Sequence, residues 1–74
     1  MVNGFKVPKP LDVMPYAQTV VFSASTTGAS FAEASYAGSV FANNSYERGI
    51  IHKTQEAAIA HAKAMLGIDP EWSE

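Results

Sequence analysis

The sequence predicts a small α+β domain, an antiparallel sheet of three to four strands packed by one C-terminal amphipathic α-helix. Three observations carry this reading. Residues 18–36 are dense in β-branched and aromatic side chains and are interrupted by one turn signal. Residues 54–67 show apolar spacings of three and four with a start and a stop signal at their ends. A chain of 74 residues also has material for one two-layer core and no more. The sequence divides into an extended, proline-containing arm (1–15), a single β-β-β-α domain (16–68) and an acidic tail (69–74).

The arm is set by its prolines. Val7-Pro8-Lys9-Pro10 and Met14-Pro15 hold the backbone extended and remove amide donors, so the segment reads as a strap with Val7, Leu11, Val13 and Met14 turned to the core. Gln18 to Ser25 reads as a strand, and Thr26-Thr27-Gly28 as the turn that follows it. Ala29 to Tyr36 is a second strand, with Tyr36 expected in the core, and Ala37-Gly38-Ser39 turns the chain again. Val40-Phe41-Ala42 then leads to a turn at Asn43-Asn44 and a last extended run from Ser45 to His52.

The helix is the most strongly signalled element. Thr54 is a good N-cap, Glu56 complements the positive end of the helix dipole, and Gly67 followed by Pro70 ends the helix after Leu66. Ala58, Ile59, Ala62, Met65 and Leu66 define its apolar face. Ala57, Ala60 and Ala64, with His61 beside them, form a second face of small residues that suits close approach of another helix. From Gly49 to the alanine-rich helix the sequence resembles the close of double-stranded-RNA-binding domains and of HicB-type antitoxins, in which a strand runs straight into a capped helix. The first of these families grips RNA phosphates with a basic helix start; Thr54-Gln55-Glu56-Ala57 stands in that place here.

A competing architecture comes from a five-residue period. Phe31, Tyr36, Phe41 and Tyr46 are each preceded by two positions by Ala29, Ala34, Ser39 and Asn44, which resembles pentapeptide-repeat proteins. That resemblance implies a short right-handed β-helix before the C-terminal helix. So few units make barely two coils, and solenoids bury their core only by stacking.

Composition narrows the function. The chain has no cysteine, so it carries no disulfide, thiolate metal site or cysteine nucleophile, and a reducing cytoplasm is expected. The first fifteen residues hold no apolar stretch of signal-peptide length, and no run is long enough to span a bilayer. His52, Glu56 and His61 do not match a helical ligand spacing, so no metal is expected. No Gly-x-Ser-x-Gly elbow, P-loop or dinucleotide fingerprint is present, so neither enzymatic activity nor a cofactor is expected. Lys6, Lys9, Arg48, Lys53 and Lys63 are scattered rather than clustered, which disfavours nucleic acid.

The distribution of charge points to a partner. From Val13 to Tyr46 the only ionised side chain is Glu33. Uncharged strand edges are normally blocked or covered, and the cover expected here is a second copy of the chain or another protein. Tyr36, Tyr46, Arg48, Lys53 and Trp72 are the candidate binding residues, because aromatic and cationic side chains dominate binding surfaces. Ala57, Ala60, His61 and Ala64 are the candidate oligomer interface.

The leading expectation is therefore a non-enzymatic interaction protein that works stoichiometrically as an inhibitor, adaptor or assembly subunit. Its small size suits a phage or mobile-element accessory protein. The alternative is an oligomer that sequesters a small, nucleotide-like anion between subunits with Tyr46, Arg48 and Lys53. A nucleic-acid-binding module is the third.

Overall fold

A computed structural model describes residues 2–27 and 30–72 of the chain. The expected turn glycine Gly28 and the expected strand start Ala29 lie outside the described residues, as does the end of the acidic tail. The fold is α+β: a three-stranded antiparallel sheet and two helices in the order β1 (Val20–Ala24), β2 (Ala32–Tyr36), α1 (Val40–Glu47), β3 (Ile51–His52) and α2 (Gln55–Met65). The spatial order of the strands is β2-β1-β3, so β1 is central. Its pairs run from Val20 opposite Tyr36 to Ala24 opposite Ala32 on one side, with Phe22 opposite His52 and Ser23 opposite Ile51 on the other.

Alternation along β1 divides the core in two. Val21 and Ile51 face one side, where they cluster with Ala37 and Ala42 under Leu11, Met14 and Tyr46. Helix α1 and the N-terminal arm therefore cover this side. Phe22 and His52 face the opposite side, where His52 meets His61 of α2.

The stretch expected as turn and strand between Val40 and Ile50 is instead mostly helix. Ser39 is extended (φ −73°, ψ 160°) and its Oγ accepts the N–H of Ala42 at 3.1 Å, which makes it an N-cap. Ala42 and Ser45 are buried and Tyr46 half-buried, a spacing of three and four that a helix places on one face. The Asn43-Asn44 pair lies on the solvent side of that helix, where poor helix formers are tolerated. Phe41 and Tyr46 are thus helical, and the pentapeptide-type β-helix is ruled out.

Helix α2 matches its sequence signals closely. The Thr54 Oγ1 accepts the Ala57 N–H at 3.2 Å. At the other end Gly67 is left-handed (φ +77°), its N–H bonds to Ala64 and that of Ile68 to Lys63, the paired closure of a Schellman motif. The face is rotated, however. Ala57, Ala58, Ala60, His61, Ala62 and Ala64 are all buried, while Leu66 is exposed. At about 100° per residue this buried arc is centred on His61, roughly one residue away from the face defined by the larger side chains. Methyl side chains let the helix axis lie close to the sheet, so the small face packs within the chain itself.

The arm straps the core through two of the four residues expected there, Leu11 and Met14, and Val7 is half-buried. Leu11 and Met14 pack on the core, and the Leu11 N–H bonds to the Ile51 carbonyl at 2.9 Å, which closes the outer edge of β3. Asn3 reaches across the molecule, its Nδ2 donating to the carbonyls of Ala64 at 2.8 Å and Met65 at 3.1 Å. Val13, expected inside, is 71% exposed.

Candidate interaction site

Two features lie outside routine packing: the outer edge of β2 and a buried pair of histidines. The edge follows from the ladder. Ser25 donates to Phe31 and Ala37 donates to Thr19, so the odd-numbered residues of β2 bond to β1. The N–H and C=O groups of Ala32, Ala34 and Tyr36 consequently point away from the sheet. Among the described residues no strand pairs with them, although Ser30 Oγ reaches the Ala32 carbonyl at 3.0 Å and the Ser39 N–H reaches the Tyr36 carbonyl at 3.1 Å. At the Tyr36 end, Gln18 takes a positive φ of 70° and its N–H bonds to the Ala37 carbonyl. Two residues of one strand there oppose one of the other, which makes a bulge.

The side chains at this edge are neutral but for Glu33. Tyr36, expected in the core, is 61% exposed, and its cross-strand neighbour Val20 is 47% exposed. The reason is geometric: α2 covers the Ala24–Ala32 end of this side of the sheet, leaving the Val20–Tyr36 end open. Tyr36 stands between two shallow clefts. One, of about 620 Å³, is lined by Ala17, Gln18, Tyr36, Ala37, Gly38 and Ser39. The other, of about 300 Å³, is lined by Val20, Ala34, Ser35 and Tyr36.

The remaining candidate binding residues are not gathered there. Tyr46 is half-buried against the core and its hydroxyl donates to the Asp12 carbonyl at 2.7 Å. Arg48 is exposed at the C-cap of α1, and Lys53 is exposed between β3 and α2. Neither cleft is lined by Arg48, Lys53 or Tyr46. Trp72 folds back far enough for its Nε1 to be buried, without a hydrogen-bond partner. Ala57, Ala60 and Ala64 are buried within the single chain, as is His61, which the sequence placed on the helix surface.

His52 and His61 form the second feature. The His52 Nε2 lies 2.8 Å from the His61 Nδ1, the ring planes are 78° apart, and the two residues are only 1% and 7% exposed. One nitrogen donates and the other accepts, which a pair of neutral imidazoles satisfies. Burial, and then the neighbouring His61, lower the His52 pKa to about 4; burial also lowers that of His61. No group of three or more potential metal ligands occurs among the described residues. The pair ties β3 to α2, and its chemistry is that of a buried neutral link.

Known proteins add nothing to this geometry. The chain matches no protein-family model, no curated protein and no solved structure. No helix among the described residues is long and apolar enough to cross a membrane.

Sequence reasoning foresaw an uncharged strand edge but not which one. No local signal marks β2 as the open edge, because the choice depends on the tertiary contact by which Leu11 of the arm bonds to Ile51 of β3.

Proposed function

We propose that this chain is a small non-enzymatic binding protein that acts stoichiometrically by pairing the open β2 edge with an extended segment of another polypeptide. One observation supports the reading above the rest: three outward-facing residues, Ala32, Ala34 and Tyr36, offer a strand-pairing surface unprotected by lysine or proline. Backbone hydrogen bonds supply affinity in this mode and alternate side chains supply selectivity, with Tyr36 as the anchor. An inhibitor, adaptor or assembly subunit works in this way. The absence of cysteine suits a reducing cytoplasm. Sequestration of an anion has less support, since no cation lines either cleft.

Residue-resolved amide hydrogen exchange tests the proposal. At low protein concentration the Ala32, Ala34 and Tyr36 amides exchange fast, while those of Glu33 and Ser35 are protected by β1. A synthetic extended peptide of alternating Val and Thr, added in excess, slows the three edge amides at one peptide per chain. Edge amides that remain fast at saturating peptide and at millimolar protein overturn the reading.

A further inference from the structure

We infer that the occupant of the β2 edge is a second copy of the same strand, paired antiparallel about a two-fold axis at Ala34. This rests on the edge-pairing reading above and names its partner. The register follows from the alternation of the ladder. Centring on Ala34 uses all five residues of β2 and sets every outward-facing N–H against a carbonyl of the partner. The carbonyls of Ala32 and Tyr36 accept a second bond there, besides the ones from Ser30 Oγ and the Ser39 N–H. Ala34 then exchanges two hydrogen bonds with the partner's Ala34, and Ala32 does the same with the partner's Tyr36.

Charge and size both fit this register. Glu33 stands opposite the partner's Ser35, so the two carboxylates never face each other. Centring on Glu33 instead would set them directly opposite, and centring on Ser35 would pull Ala32 out of the ladder. The exposed Tyr36 ring lies across from the end of the partner's strand that α2 covers, beside the partner's exposed Ala34. Both rings, exposed in the single chain, then lose part of their contact with solvent.

The other end of the sheet explains why the assembly stops at two. The Leu11 N–H already bonds to the Ile51 carbonyl, so the arm lies against the outer edge of the two-residue strand β3. Two copies joined at β2 form a six-stranded sheet in the order β3-β1-β2-β2-β1-β3, with both outer edges strapped. The contact is self-complementary and closes, and no filament can propagate from it.

Light scattering coupled to size exclusion gives the first test, with an expected mass twice the 7.9 kDa of the chain. Ala34→Pro removes a donor that points away from β1, so it leaves the internal ladder whole and raises the dimer dissociation constant at least tenfold. Its melting curve at low protein concentration shows that the variant still folds. Register is read by oxidation, since the natural chain has no cysteine. Ala34→Cys cross-links rapidly to itself, whereas Tyr36→Cys, four positions from its own copy, and Asn43→Cys on α1 do not. Cross-linking of Ala34→Cys no faster than that of Asn43→Cys overturns the inference. A chain that stays monomeric at millimolar concentration, yet shows edge protection by the Val/Thr peptide, overturns the second copy and leaves the edge reading intact. A dimer that survives Ala34→Pro unweakened is not joined at β2 and overturns the inference, while edge amides left fast by the Val/Thr peptide overturn the edge reading as well.

Discussion

Lowering the pH from 7.5 to 5 probes the link between β3 and α2 directly. In the folded chain His52 has its pKa lowered to about 4, by burial and by the adjacent His61, against an ordinary value of 6.5. Between those two values the unfolded chain binds more protons than the folded one, so stability falls as the pH drops through that window and levels off below it. At 1.36 kcal/mol per pH unit, His52 alone removes about 2 kcal/mol by pH 5 and about 3 kcal/mol by pH 4. His61, shifted in the same direction by burial, adds to the loss. A domain of this length has a total stability of roughly 4–11 kcal/mol, so the effect is large. Thermal melts followed by circular dichroism at constant ionic strength should show Tm lower by roughly 8–16 °C at pH 5 than at pH 7.5. Replacing both partners by apolar residues of similar size is close to neutral in principle, so the double variant His52→Leu/His61→Leu controls for the titration of other groups. Its Tm should vary much less over the same range. Parallel pH profiles for the two proteins would refute the reasoning, as would a His52 ring resonance that titrates near 6.5.

Three substitutions test individual supports of the fold. Asn3→Ala removes two hydrogen bonds to the last carbonyls of α2 and should cost about 1–2 kcal/mol, measured as a fall in the urea midpoint at unchanged slope. Ser39→Ala deletes the N-cap of α1 and should cost about 1 kcal/mol; no loss in the same measurement would count against the helix that replaces the expected turn. Ala60→Leu places extra methylenes where the helix lies close to its surroundings and should cost about 1–3 kcal/mol in the monomer, seen as a concentration-independent fall in Tm. A fall that depended on protein concentration would instead place Ala60 at a contact between chains.

Local signals in the sequence were sufficient for β1, for β2 and for both ends of α2. Thr54 and Gly67 are read the same way in almost any context, because each meets a backbone requirement within its own few residues. Val40 and Phe41 misled for the complementary reason. Their β propensity favours a strand, but a cap at Ser39 and the burial of Ala42 and Ser45 outweigh it, and both apolar side chains end up exposed. The candidate site was legible only in part: the neutrality of the strands was visible, and the open edge was not.

What the sequence determined by itself is the existence of β1 and β2 and both ends of α2, since capping, turn and proline effects act over a few residues. Tertiary structure alone decided how α2 is rotated, that His61 meets His52 in the interior, that the arm straps β3, and that β2 is left uncovered. Those outcomes depend on which surfaces fit against one another across the whole chain. Methyl groups there allow a closer helix-to-sheet approach than the larger apolar side chains that dominate the linear pattern.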